Sequence, residues 1–376
     1  MEIPFSVLIS CDEANLHIRV CFSSARTNSV VYVPHYIMVL WNNATVSLIS
    51  NKSAQDEMNC TCSFVDSSVE RFSKLCAFCF ILLGSLFGNI FIIIIVYKNR
   101  HLRKTINYFI VNMAFSDLVL TLIVLPVEIT KLVTDSGHWH VSGILGLICC
   151  KLFFFASLVS LLVSSQSLVW IAIDRFVAVV FPMKLGLISS KIRTIAIVST
   201  WICAGFFSYP VLISWKLVVR GNDTFCTETN LESFFHNQKT QKANETYMFV
   251  WVQFTLLIIA PLLVITILYT AIAVNLRIQK KALAGTPPNI QRHAMKKRRQ
   301  AIKMAVAILI LFYLCVTPHT LLYFIHYWRP SCATRIVLYF VTSFSFFLSS
   351  IVNPIICLSF VESYRRGLKH ILCPCV

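Results

Sequence analysis

Asp117 stands near the middle of a long apolar run, residues 107–133, whose other acid, Glu128, lies close to its end. An isolated charge in such a medium costs about 2.5–3.5 kcal/mol on insertion scales unless polar groups meet it. Asn89, Ser164, Ser350 and Asn353, drawn from three other apolar runs, are the candidate partners. A second ionic feature lies in "SLVWIAIDRFVAVVFPMK", residues 167–184, where Asp174 and Arg175 stand side by side at the end of a further run. There a charge can reach headgroups or water, so snorkelling is the plain reading of the pair. The apolar runs hold no "HExxH", no "GxGD" and no His/Asp constellation, and the in-span His319 reads as packing. Neither enzymatic chemistry nor a required cofactor is expected.

Groups so placed need elements that hold them in an apolar medium. The 376 residues are 57% hydrophobic and 13% charged, with a mean hydropathy of +0.73. Soluble domains carry roughly 25% charged residues. Stretches long enough to cross about 30 Å of hydrocarbon as helices fall near 74–97, 107–133, 149–173, 192–215, 247–274, 301–326 and 333–358. The expected fold is an all-α membrane protein, a seven-transmembrane helix bundle whose odd number of spans puts the two termini on opposite sides.

Charge gives the orientation. Segments 98–106, 174–193, 275–303 and 359–376 hold 20 Lys and Arg against the acids Asp174 and Glu362, whereas the rest of the chain, Asp117 aside, balances 13 bases with 13 acids. The basic side is expected to be cytoplasmic, so the net charge of +17 reads as loops beside anionic lipid, with no nucleic acid as partner. Five Asn-x-Ser/Thr sequons, at Asn43, Asn51, Asn59, Asn222 and Asn244, all fall on the opposite side, where glycosylation occurs. Plasma-membrane residence with the N-terminus outside and the C-terminus inside is the expectation. "MEIPFSVLIS" has Glu2 where a cleavable signal would be basic, so the first span is expected to act as signal anchor.

Three regions follow. Residues 1–72 form a Ser/Asn-rich extracellular glycosylated tail with four cysteines, read as mostly disordered with local disulfides; 73–358 form the seven-span domain; and 359–376 form an amphipathic helix and cytoplasmic tail. In that helix Phe360, Tyr364, Leu368, Ile371 and Leu372 share one face and Arg365, Arg366 and Lys369 the other, as in a helix lying along the inner leaflet. Cys373 and Cys375 at its end are palmitoylation candidates, with plain free thiols as the alternative. No internal repeat is visible, which argues against inverted-repeat transporters.

One motif per span stands in a fixed order: "GN" at Gly88 and Asn89, "NMAFSD" ending at Asp117, "DRF" at Asp174 to Phe176, Trp201, Pro261 with Tyr269, "FYLCVTP" at Phe312 to Pro318, and "NPIIC" at Asn353 to Cys357. Over roughly residues 72–375 the chain resembles a rhodopsin-like (class A) G-protein-coupled receptor. The resemblance implies an extracellular ligand, a helix-bundle equilibrium and a heterotrimeric G protein as partner. Asp174, Arg175 and Phe176, with Pro182 and Met183 in the following loop, would make the G-protein contact. Phe312, Val316, Pro318, Tyr269, Asn353, Pro354 and Cys357 would form the activation relay, and the prolines, Pro210 included, would supply kinks. It also implies an allosteric sodium ion at Asp117, Ser164, Ser350 and Asn353, against the plainer reading of a structural hydrogen-bond cluster. A disulfide is implied between Cys226 and the outer end of span three. Cys149 and Cys150 both stand there, and the family's usual spacing, 25 residues before Arg175, favours Cys150.

The departures carry as much information. Val316 replaces the family's usual Trp, Cys357 replaces the last residue of its "NPxxY", and Arg298 stands where many relatives place an acid facing the Arg of "DRF". A scavenger or scaffold of the same fold that does not signal is therefore the rival to a signalling receptor. Span seven has no Lys to hold retinal, and Ser157 occupies the position where amine receptors place an aspartate. Glu128, Glu228, Glu232 and Glu245 around an outer vestibule suit a basic peptide terminus. A peptide, as in neuropeptide receptors, is the expected ligand.

Overall fold

In the computed structural model, residues 6–11, 18–24, 27–33, 68–134, 138–181, 188–220, 223–228, 251–282, 288–326 and 332–372 are described. Among them are seven helices long and apolar enough to cross a membrane. They are α1 (Ser68–Lys98), α2 (Thr105–Thr134), α3 (Gly143–Val180), α4 (Ser190–Ser214), α5 (Trp251–Ile278), α6 (Pro288–His326) and α7 (Cys332–Phe360). A shorter α8 (Glu362–Leu372) follows. The chain is a multi-pass membrane protein whose bundle is all-α.

Burial is inverted relative to a soluble domain. Ser85, Asn89, Ser116, Asp117, Thr200 and Ser350 are buried, while Phe80, Phe206, Ile267 and Leu314 are exposed. An apolar solvent produces this arrangement, because polar groups must find partners inside the bundle. The long α3 runs through the middle and packs against α2, α4, α5 and α6. Small residues let the helices approach closely. A Cβ added at Gly88 on α1 would stand 2.8 Å from Pro354 Cβ on α7, whereas one at Gly84 would meet only the flexible Ile351 Cδ1, at 3.2 Å. Gly88→Ala is accordingly expected to lower the thermal midpoint of the purified protein, at an overpacking cost of about 1–3 kcal/mol, and Gly84→Ala to lower it much less. Equal midpoints for the two variants would contradict this α1–α7 contact.

Two helices widen into a π turn just before a proline: Leu120–Val124 ahead of Pro126 in α2, and Thr255–Ile259 ahead of Pro261 in α5. A proline has no N–H for the preceding turn, and the extra residue absorbs the broken ladder. Beyond α7, α8 lies against α1. Tyr364 is fully buried, and a Cβ at Gly367 would fall 2.7 Å from Ile95 Cγ2. Arg365 Nη1 donates to the carbonyl oxygens of Ser359 (2.5 Å) and Leu358 (3.3 Å), a cation capping the end of α7. Arg366 beside Glu362 holds the glutamate's carboxyl below its ordinary range, and burial raises that of the Tyr364 phenol.

Two corrections concern the N-terminal region. Helix α1 begins at Ser68, ahead of the expected boundary at 73, because Glu70 and Arg71 extend the helix beyond its hydrocarbon-length core. The expected disorder fails over three antiparallel strands in the order β1 (Ser6–Cys11), β2 (Ile18–Ser24) and β3 (Thr27–Val33). Their register sets Leu8 opposite Cys21 and Val20 opposite Val31.

Candidate functional site

The charge at mid-bundle is held by one of its four expected partners. Asn353 Nδ2 on α7 donates to Asp117 Oδ2 on α2 at 2.8 Å. Ser164 hydrogen-bonds instead to Ser116, at 2.7 Å, and Ser350 turns back to the Phe347 carbonyl, at 2.8 Å. Asn89 donates to the Ser350 carbonyl oxygen at 2.9 Å. The side-chain oxygens Oδ1 of Asn89 and Asn353 are buried with no hydrogen-bond partner. The Asp117 carboxylate and these two amide oxygens are hard oxygen donors of the kind that hold hard cations. Among the described residues, no group of three His, Cys, Asp or Glu side chains could hold a metal ion.

The bundle prolines carry the second layer of the site. Pro354 leaves the carbonyl of Ser350, one turn earlier, without its helical donor, and Asn89 from α1 supplies one. Pro261 likewise releases the carbonyl of Leu257, which accepts from Ser165 Oγ on α3 at 2.9 Å. Ser165 also shares a hydrogen bond with Tyr313 Oη on α6, at 3.1 Å. Near Pro318, Ser345 Oγ on α7 donates to the Cys315 carbonyl at 3.0 Å, and near Pro210, Gln253 Nε2 on α5 donates to that of Phe207 at 2.5 Å. The carbonyls freed by the prolines of α5 and α7 are thus bonded by a side chain from a neighbouring helix, and in α4 and α6 such a side chain bonds the carbonyl three residues before the proline. Such a contact can be exchanged without unwinding either helix. The expected relay residues Phe312, Val316 and Cys357 are buried in this core.

At the end of the bundle that carries the basic loops, Arg175 donates from Nε to Asp174 Oδ2 at 3.1 Å and also from Nη2. Phe176 packs edge-on to Phe181, with ring centres 5.9 Å apart, and Tyr269 on α5 is within electrostatic reach of Arg175. Pro182, Met183 and the side chain of Arg298 lie outside the described residues. Trp201 donates from Nε1 to Asn112 Oδ1 at 2.8 Å, and Asn112 in turn reaches Ser167 and Thr200, which ties α2, α3 and α4 together.

At the opposite end, Cys150 on α3 is disulfide-bonded to Cys226, and Cys149 is a free thiol. Cys226 sits on β5 (Asp223–Glu228), which forms a hairpin with β4 (Trp215–Arg220). The hairpin is also fastened by Trp139 N, which donates to the Thr224 carbonyl at 2.6 Å, and by Trp215 stacked on Phe154. Glu128 is buried and already partnered: Lys131 Nζ lies 2.7 Å from Oε1, and the Tyr339 hydroxyl lies 3.3 Å from Oε2. Ser157 bonds back to its own helix at the Phe153 carbonyl, at 2.7 Å. His319 packs between Phe346 and Tyr339, as a packing residue would. Glu228 belongs to the hairpin, and its side chain lies outside the described residues, as do Glu232, Glu245, all five sequon asparagines, Cys373 and Cys375.

The carbonyl caps Ser165, Gln253 and Ser345, and the tie formed by Asn112, escaped the sequence reading. A serine on an apolar run looks alike whether or not it meets a kink. The usable signal was the proline itself, since every Pro in a membrane helix implies an unpaired carbonyl one turn earlier.

Comparison with known proteins agrees with this geometry. The chain is 29% identical to the QRFP-like peptide receptor of Branchiostoma floridae over 64% of its own length and 60% of that protein's. It is 29% identical to the neuropeptide FF receptor 2 of Mus musculus over 75% of this chain and 68% of that one. To the octopamine receptor beta-2R of Chilo suppressalis it is 26% identical over 88% and 86%. Residues 88–356, well over half the chain, match the family described as 7 transmembrane receptor (rhodopsin family), and the chain belongs to that family.

Proposed function

We propose that the chain is a plasma-membrane receptor, N-terminus outside, that couples an extracellular peptide to nucleotide exchange on a heterotrimeric G protein. The observation that supports this most is the set of kink carbonyls in α5 and α7 bonded by Ser165 and Asn89 from other helices. Single exchangeable contacts at the kinks make the bundle a two-state element that a ligand can bias. Glu228, Glu232 and Glu245, in the segment after α4, would supply negative charge for a basic peptide terminus, since Glu128 is already paired with Lys131, and at the basic end Arg175 would supply the G-protein contact. A peptide fits better than an amine, because Ser157 offers no carboxylate to an ammonium group. A screen of peptides on cells expressing the receptor, read by second messenger, tests this. The expected result is a response to a basic peptide that falls when Glu228, Glu232 and Glu245 are changed to Gln. Response only to amines would overturn the peptide reading, and capture of a ligand with no second-messenger change would favour the scavenger alternative.

Asp117, Asn353 and Asn89 would hold a sodium ion at mid-bundle, with Ser164 and Ser350 nearby. Its charge would neutralise the carboxylate. Replacing N-methylglucamine by sodium at constant ionic strength is expected to raise the thermal midpoint of the purified receptor, since any ion that binds only the folded state stabilises it. Asp117→Asn should remove that dependence. A wild-type midpoint indifferent to sodium would reduce the cluster to a structural one.

A further inference from the structure

A cavity of about 320 Å³ opens at the basic end of the bundle, between the starts of α2 and α4 and the end of α3. Arg103, Lys104, Thr105, Asp174, Arg175 and Arg193 are among its walls. Asp174 is its one acid and is engaged by its neighbour Arg175. Among the described residues, no carboxylate pairs with Arg103, Lys104 or Arg193. Three cations therefore line one concave space with no carboxylate partner of their own among the described residues.

Two of the cations are held in place. The Arg193 guanidinium lies 3.9 Å above the Tyr108 ring, and its Nη2 donates to Ser190 Oγ at 3.0 Å. Arg103 Nη2 donates to the Tyr97 carbonyl at 2.5 Å, and its guanidinium lies 5.7 Å over that ring. Each guanidinium keeps most of its five N–H donors for another partner. At Lys104, which caps α2 without a side-chain hydrogen bond, the first N–H groups of the helix add positive potential to the same space. Planar forks, an ammonium and a helix start make up a phosphate-binding set.

We propose that this cavity binds an anion bearing two or more phosphate groups. The cavity lies where α2, α3 and α4 leave the hydrocarbon. A phosphorylated inositol-lipid headgroup would enter from the leaflet, and a soluble inositol phosphate carries the same chemistry. The proposal rests on the receptor's basic end being cytoplasmic, but not on G-protein coupling, so a binding measurement separates the two.

The test uses full-length purified receptor in detergent at about 0.15 M salt, where exposed charges are well screened. The probes are dioctanoyl phosphatidylinositol 4,5-bisphosphate, dioctanoyl phosphatidylserine and inositol hexakisphosphate, with affinity read by thermophoresis. Saturable binding of the bisphosphate is expected, weakened about tenfold by Lys104→Gln or Arg193→Gln and unchanged by Lys369→Gln on α8. Asp174→Asn should tighten binding, a gain that misfolding would not produce. Binding of the hexakisphosphate alone, with the same dependence on Lys104 and Arg193, would keep the site and make its occupant soluble. Three results would each overturn the proposal: no binding of either phosphate probe, equal binding of phosphatidylserine, or equal weakening by Lys369→Gln.

Discussion

Receptor carrying Cys226→Ser is expected to be nearly absent from the cell surface, and the fraction that arrives should not bind ligand. Loss of a native disulfide costs about 2–5 kcal/mol, a large part of the margin by which a domain stays folded. The bond from Cys150 to Cys226 fastens the β4–β5 hairpin to the end of α3. Without it, the described residues leave the hairpin the Trp139 hydrogen bond, the His138 contact to Asp223 at 3.2 Å and the packing around Trp215 and Phe225. Cys150→Ser should match it, whereas Cys149→Ser should behave as wild type because that thiol is free. Flow cytometry with an N-terminal epitope reads all three. Equal surface levels for Cys226→Ser and wild type, with ligand binding retained, would show that the clasp is dispensable.

The second large effect concerns Arg175. Its guanidinium is engaged by Asp174, its own neighbour in α3, so this contact does nothing to hold α3 against α6. Many relatives place an acid on α6 at the position of Arg298, and here a like charge stands in its place. An exposed cross-helix ion pair is worth only about 0.2–1 kcal/mol, yet its absence raises the ratio of active to inactive receptor by up to about fivefold. Measurable signalling without ligand is therefore expected. Arg298→Glu should lower it by supplying the missing tether, and Arg175→Ala should abolish coupling while leaving ligand binding intact. Wild type silent without ligand, together with an unaltered agonist response in Arg298→Glu, would defeat the missing-tether argument.

Hydropathy located all seven helices, because crossing a bilayer demands uninterrupted apolar length, but it measured only the hydrocarbon part of each. Helix α3 extends to Val180 beyond the expected end near 173, because the charged pair Asp174 and Arg175 interrupts the apolar run without breaking the helix, and α6 starts at Pro288 instead of near 301, because polar residues continue a helix in headgroups and water without raising hydropathy. At the site, residue identity was legible and partnership was not. Asp117 had to be met by something, and only the rotation of α1, α3 and α7 about their axes decides that Asn353 reaches it while Ser164 and Ser350 turn elsewhere. Glu128 was expected to be open to a ligand but is buried against Lys131 and Tyr339. That pairing joins α2 to α7 across residues far apart in sequence, which periodicity along one chain segment does not record.

The most direct test of the central claim is guanine-nucleotide exchange on purified heterotrimeric G proteins, measured with the receptor reconstituted in lipid nanodiscs. The account predicts exchange above the receptor-free rate for at least one G-protein class before any ligand is added, lost in Arg175→Ala and reduced in Arg298→Glu. Exchange at the receptor-free rate for every class, with ligand bound as well as without, would contradict it.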